Sequence, residues 1–243
     1  MVYVELDQKL RMRLRIGEML EHRRLMPKVS CRSRMGFWAL LVCLGSASVA
    51  AAAQHNSLKD ILASLEKGST LGSAKAPVTI VEFSDFRCSF CKKFSTETLP
   101  KLKQSYFDKG TVYFVFRHFA ILGKQSEQAA LASECAAEQG KFWQYHDKLF
   151  ADQSGLAFGE SKLKGYAREL RLQEANFEAC LAAGKYRSKV ERETMTAAYL
   201  GGRGTPMFLV DEWLLVGAQP FETFQKAIDK AMEFTQTKPK PGR

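Results

Sequence analysis

Histidine is scarce in this sequence, and cysteine is confined to six positions in 243 residues. His22, His55, His118 and His146 stand nowhere at metal-ligand spacing from one another. A zinc site built from the single Cys-x-x-Cys with His118 or His146 would lack the second Cys-x-x-Cys that such sites usually carry. No glycine loop for phosphate, no dinucleotide fingerprint and no Ser/His/Asp set is present, which removes nucleotide-dependent and triad chemistry from consideration. Only one apolar stretch, Gly36 to Ala53, approaches membrane-spanning length, so the chain is not a polytopic membrane protein. There are no internal repeats and no low-complexity segment beyond an alanine run. With 46% hydrophobic and 26% charged residues the composition is that of a folded chain, which excludes wholesale disorder, collagen and a coiled-coil rod.

The net charge of +10 divides into two unrelated halves. Residues 1–53 hold nine basic and four acidic groups, and the other 190 residues hold 27 and 22. The basicity therefore does not mark a nucleic-acid surface, and no nucleic-acid partner is expected. Between Met26 and Asp60 there is no acidic residue. Lys28, Arg32 and Arg34 precede a short apolar run, then small residues to Ala53, then polar Gln54. Basic region, apolar region and small-residue exit make a secretory signal, with cleavage expected after Ala53 or Ala50. The rival reading is an uncleaved membrane anchor. Residues 1–25 are a charged, helix-prone stretch ahead of a complete signal. They read as an over-long reading frame, with translation starting at Met26 or Met35, or as a cytosolic extension on an anchor.

The mature chain orders itself as follows. Residues 54–76 hold a helix, Ser57 to Lys67, with Leu58, Ile61, Leu62 and Leu65 at helical spacing, and then a turn-rich approach. Residues 77–120 hold a buried strand from Val78 to Phe83, a helix from near Cys88 to about Asp108 that Pro100 should kink or restart, and a second strand from Thr111 to Phe119. Residues 121–200 carry no strand signal and read as five helices. Residues 201–234 read as a hairpin, Pro206 to Val210 and Trp213 to Val216, closed by an amphipathic helix from Phe221. Residues 235–243 read as a solvated tail. The predicted fold is α/β: βαβ and ββα halves of one mixed sheet, with an all-helical insert between them.

Export places Cys88, Cys91, Cys135 and Cys180 in an oxidising compartment. Cys88-Ser89-Phe90-Cys91 stands where a strand hands over to a helix. The first helical turn has unpaired N–H groups and the positive end of the dipole, which stabilise a thiolate. Cys88 is then expected to be the exposed nucleophile. Cys91, nearly one turn deeper on the same side, is expected to resolve the mixed disulfide that Cys88 forms. Stabilising the Cys88 thiolate stabilises the reduced form and makes the disulfide a better oxidant. About 115 residues later Gly204-Thr205-Pro206 opens a strand. A cis Thr205–Pro206 bond beside the dithiol would leave the Thr205 backbone able to pair with an extended substrate chain; the alternative is an ordinary turn proline. Glu82, six residues before Cys88 on a buried strand, is either a proton relay for Cys91 or a satisfied or edge-exposed carboxylate.

Glu82-Phe83-Ser84-Asp85-Phe86-Arg87-Cys88-Ser89-Phe90-Cys91 resembles the active-site segment of DsbA-like thiol:disulfide oxidoreductases. Gln139 to Phe150 resembles their helical insert, and Gly204-Thr205-Pro206 their cis-proline loop. The resemblance spans about residues 70–232. It implies a thioredoxin fold with an inserted helical domain, a bacterial envelope location, and disulfide exchange with cysteine-containing exported proteins. It also implies a membrane partner that resets the dithiol; no cofactor is expected. Proline often follows the first cysteine in this family, and here Ser89 does, which leaves oxidant strength open. Thr205 before the proline is compatible with oxidases and isomerases alike. Cys135 and Cys180, on different insert helices, read as a structural bridge, which some relatives carry, or as two buried thiols. His118 reads as a packing or surface histidine, and Phe142, Trp143, Tyr145 and Phe150 as insert core. The expected function is that of an exported oxidase. The alternatives are an isomerase or reductase of the same fold, and a non-catalytic metal- or peptide-binding module.

Overall fold

Val78-Thr79-Ile80-Val81-Glu82-Phe83 is short, β-branched and apolar on both faces, the pattern of a strand covered on both sides. In the structure, a computed structural model that describes residues 4–5, 68–152, 158–211 and 213–237, this segment is the centre of the sheet. The strands are β1 (Val4–Glu5), β2 (Ser69–Gly72), β3 (Val78–Ser84), β4 (Val112–His118), β5 (Met207–Val210) and β6 (Trp213–Val216). Their spatial order is β1-β6-β5-β3-β4-β2, with β3 and β4 parallel and the other neighbours antiparallel. The fold is thioredoxin-like, as expected.

Alternation along β3 sorts the core into two layers. Val78 and Ile80 face Phe94, Leu102, Phe114 and Phe224, beneath α1 (residues 89–107) and α7 (Phe221–Thr237). Val81 and Phe83 face Val115, Leu209, Ala197 and Leu200, beneath α6 (Arg187–Tyr199). The insert consists of α2 (Lys124–Ala137), α3 (Phe142–Ala151), α4 (Glu160–Glu169), α5 (Glu174–Ala182) and α6. Its core of Tyr145, Leu149, Phe150, Phe158, Leu163 and Phe177 is continuous with Phe86, Cys88 and Cys91 of the sheet domain. The insert therefore shares packing with the dithiol rather than sitting apart from it.

Three local expectations change. Residues 68–77 carry a strand as well as turns: β2 pairs with β4 from Ser69↔Phe116 to Gly72↔Tyr113. A strand whose partner lies more than forty residues away leaves little local signal. Gly72 ends it at φ +81, where a Cβ would stand 2.3 Å from the Val112 carbonyl oxygen, so only glycine fits. Pro100, in keeping with the expected restart, stands in the first turn of a fresh α-helical segment of α1, Leu99–Leu102. The helix widens into a π turn, Phe94–Thr98, immediately before it and another, Lys103–Phe107, after it. A widened turn accommodates a residue that has no N–H to give back to the preceding turn. At the far edge, Val4–Glu5, which lie outside the fold expected from the sequence, pair with Leu214 and Trp213 of β6; a strand edge presents backbone groups that a further stretch of chain can pair. The closing helix also runs to Thr237, three residues into the expected tail. The signal segment, Cys31, Cys43 and the expected helix Ser57 to Lys67 lie outside the described residues.

Cys135 on α2 and Cys180 on α5 are joined by a disulfide across 45 residues of sequence, with Cα atoms 5.9 Å apart. Closing a loop of that length stabilises a fold by about 4 kcal/mol in the chain-entropy model. The double variant Cys135→Ala/Cys180→Ala is expected to lose about 3–4 kcal/mol in urea unfolding. A loss below about 1 kcal/mol would mean that packing alone fixes α2 against α5.

Candidate active site

The strand-to-helix transition at the site is built by Asp85. Its Oδ1 accepts a hydrogen bond from Arg87 N at 2.8 Å, a local turn of the kind that aspartate favours. Its Oδ2 accepts from Ile121 N at 2.9 Å and Leu122 N at 3.0 Å, so one buried carboxylate ties the turn to the loop after β4. Its backbone carbonyl accepts from Cys88 N at 3.0 Å. Cys88 then sits at the N-cap of α1 in extended conformation, and Lys92 N donates to its carbonyl at 3.0 Å. The local Asx turn is legible from the Ser-Asp-Phe-Arg sequence. The contacts of Oδ2 to residues 36 and 37 positions away are not.

Cys88 and Cys91 are both present as thiols. Cys88 is not the exposed sulfur that the sequence suggests: the residue is 8% exposed, against 62% for neighbouring Phe90. Its cover is the loop before β5. Thr205 and Pro206 meet across a cis bond, and the Thr205 carbonyl accepts a hydrogen bond from Cys88 Sγ at 3.2 Å. Pro206 in turn accepts Gly217 N at 2.8 Å, which ties the loop to the strand pair.

Charge at the two sulfurs is unequal. The Cys91 thiol hydrogen-bonds to Cys88; burial opposes ionisation; the Thr205 hydroxyl and the Cys91 and Phe90 amides favour it. The net result lowers Cys88 from 9.0 to about 6. At pH 7 about nine in ten such groups are thiolate, against about one in a hundred for an unperturbed thiol. Cys91 is pushed well above the usual thiol range, by burial first, then by giving its hydrogen bond to Cys88, then by the charges of Glu82 and Cys88. A pair so arranged holds a single negative charge, on Cys88.

Glu82 lies on the face of β3 that carries Ile80 and is 1% exposed. It is neither satisfied nor at an edge: neither carboxyl oxygen has a hydrogen-bond partner, and the strand is flanked on both sides. Burial, offset in part by the Ser84 hydroxyl and reinforced by Cys88, raises it from 4.5 to about 8. It is therefore a neutral acid at pH 7, able to give or take one proton near physiological pH.

His118 and His146 are both buried, which for the first is the packing placement of the two that the sequence allows. Their rings stand 6.1 and 5.9 Å from that of Phe86. His118 Nε2 is 2.9 Å from Glu134 Oε1. Burial works against ionisation of Glu134, but His118 and Lys189 outweigh it and hold Glu134 near 2. Phe142, Tyr145 and Phe150 are buried in the insert core, and Trp143 packs partly buried beside them. Among the described residues no group of three or more His, Cys, Asp or Glu side chains is placed to hold a metal ion.

A parallel βαβ unit, an antiparallel ββα unit and a dithiol opening the first helix together define a thioredoxin-type redox fold. The family model described as Thioredoxin matches residues 64–230. A probable disulfide bond formation protein D of Bacillus cereus is 33% identical over 172 residues, covering 68% of this chain and 78% of that protein. Crystal structures of BdbD from Bacillus subtilis (TM-score 0.62, 29% identity, 68% of this chain and 92% of that chain) and of a thioredoxin-like oxidoreductase from Silicibacter pomeroyi (TM-score 0.63, 28% identity, 73% and 99%) superpose on it. The chain belongs to the thioredoxin family, among its DsbA-like thiol:disulfide oxidoreductases.

The raised value at Glu82 has a signed consequence. The folded chain keeps a proton that the unfolded chain releases above pH 4.5, so stability falls as pH rises from about 4.5 to about 8. Glu82→Gln removes this loss. The variant is expected to gain about 4 kcal/mol relative to wild type at pH 8 compared with pH 4, measured by urea unfolding at both values. An equal difference at both values would show that Glu82 ionises normally.

Proposed function

We propose that this protein works in the oxidase direction, donating a Cys88–Cys91 disulfide to cysteine-containing proteins outside the cytoplasm. The single observation that carries the reading is the division of charge: Cys88 is stabilised as thiolate while Cys91 is not. A stabilised thiolate favours the reduced enzyme and so makes its disulfide oxidising. In the forward step a substrate thiolate attacks Cys88 Sγ, and the Cys88–Cys91 bond breaks. Cys91 leaves with the electron pair and takes a proton, and we assign its supply to the neutral Glu82 carboxyl. A second substrate thiolate then attacks the substrate sulfur of the mixed disulfide, and Cys88 leaves as thiolate. The substrate has lost two electrons and the enzyme holds them as one thiolate and one thiol. Thr205 lies against the sulfur and offers its backbone to an extended substrate, with the cis Thr205–Pro206 bond presenting it.

Return to the disulfide needs an external oxidant, which we assign to a membrane redox partner. Export is supported by the signal-like residues 28–53 and by the periplasmic or extracytoplasmic setting of DsbA-like proteins. Among the described residues no helix is long and apolar enough to cross a membrane.

The test is trapping. Cys91→Ala, mixed with a reduced model protein and with oxidised glutathione as the two-electron oxidant, is expected to accumulate mixed disulfides through Cys88, and Cys88→Ser is expected to accumulate none. Wild type should oxidise the same model protein. A purified protein that reduces or reshuffles disulfides but fails to form them would contradict the oxidase direction. Stoichiometric copper or zinc binding without exchange would favour a carrier.

A further inference from the structure

The loop that covers Cys88 is the direct continuation of α6, and α6 is fastened to the sheet by one buried carboxylate. Glu193 Oε1 accepts from Arg117 Nη1 at 2.6 Å, and Glu193 Oε2 accepts from the backbone N of His118 at 2.8 Å. The two charged side chains are 6% and 8% exposed. One residue on, Thr194 Oγ1 accepts from Ala120 N at 3.2 Å. Two successive residues of α6 thus take three donors from residues 117–120, at the end of β4. That end is in register with the end of β3, where Ser84 opposes His118, four residues before Cys88.

From this anchor the path to the sulfur is short and tight. Gly202 N donates to Ala197 O at 2.9 Å and closes the helix. A Cβ on Gly202 would stand 2.9 Å from Phe119 Cε1 and 3.1 Å from Met207 Sδ, so the chain leaves α6 wedged between two core side chains. Three residues later the Thr205 carbonyl is 3.2 Å from Cys88 Sγ. Apolar contacts of Ala197 and Leu200 hold α6 on the sheet, but burial of apolar surface is non-directional and does not by itself set a register. A carboxylate that accepts from two adjacent β4 residues fixes its position and rotation.

We propose that Glu193 is a positioning residue: by locking α6 to the end of β4 it sets where Thr205 stands against the Cys88 sulfur, and with it the reactivity of that sulfur. The inference rests on the redox reading of Cys88. The competing possibility is that strand pairing of β5 alone, with Met207 opposite Phe83 and Val216, fixes the loop. Glu193 would then matter to stability only.

Two variants of the full chain separate these. Glu193→Gln keeps the shape but sets an amide against two donors. Arg117→Met/Glu193→Met removes the pair together with any uncompensated charge, a change that buried ion pairs often tolerate, and it carries the test where the first variant fails to fold. The readouts are the pH midpoint of iodoacetamide alkylation at Cys88, the reduction potential against glutathione, and the thermal midpoint. Because the Thr205 hydroxyl that favours the thiolate is then no longer held against the sulfur, both variants are expected to move the alkylation midpoint upward by about one pH unit, a roughly tenfold loss of thiolate at acidic pH, and to make the potential more reducing. Variants that melt earlier but keep the wild-type midpoint and potential would overturn the proposal. A wild type that exchanges no disulfides, with variants that still shift the midpoint, would sink the proposed function and leave the positioning role standing.

Discussion

The structure depends on where one negative charge rests. A sulfur at the start of a helix meets unpaired amides, and Cys88 also meets the Cys91 thiol and the Thr205 hydroxyl. These donors outweigh burial at Cys88. Three residues on, burial wins, because Cys91 gives its hydrogen bond away and lies near a buried carboxyl. The asymmetry gives the dithiol a direction of attack. It also explains why the sheet domain and the insert share one core: the walls around the two sulfurs come from both.

Glu82 shows the cost of such a site. A carboxyl with no hydrogen-bond partner, flanked by strands on both sides, is destabilising at the pH where the protein works. An apolar residue there would pack with Ile80 and Phe208 without penalty. In the proposed exchange this carboxyl is the proton donor to the leaving Cys91 sulfur. Asp85 does the opposite work. Its carboxylate is equally buried, but three backbone donors satisfy it, and it organises the turn.

Much of the architecture was legible in the sequence because it is local. The β-branched run Val78 to Phe83, the helix breakers Gly201 to Gly204 and the amphipathic helix from Phe221 each carry their own signal, and their order gives the topology. The dithiol was legible because its chemistry requires a strand-to-helix junction. The rest depends on contacts distant in sequence. β2 becomes a strand through β4. Cys88 is buried by a carbonyl 117 residues away. The unpartnered state of Glu82 follows from its flanking strands, and the importance of Glu193 from Arg117, 76 residues earlier. Periodicity carries no trace of these pairings.

The most direct test is a pH titration of thiolate absorbance in the reduced protein, with Cys91→Ala to assign the transition and to show how much the Cys91 thiol contributes. The account predicts that wild-type Cys88 ionises with a midpoint near 6 and that no second thiolate appears below pH 9. A Cys88 midpoint near 9, the value of an unperturbed thiol, or ionisation of Cys91 first, would contradict it.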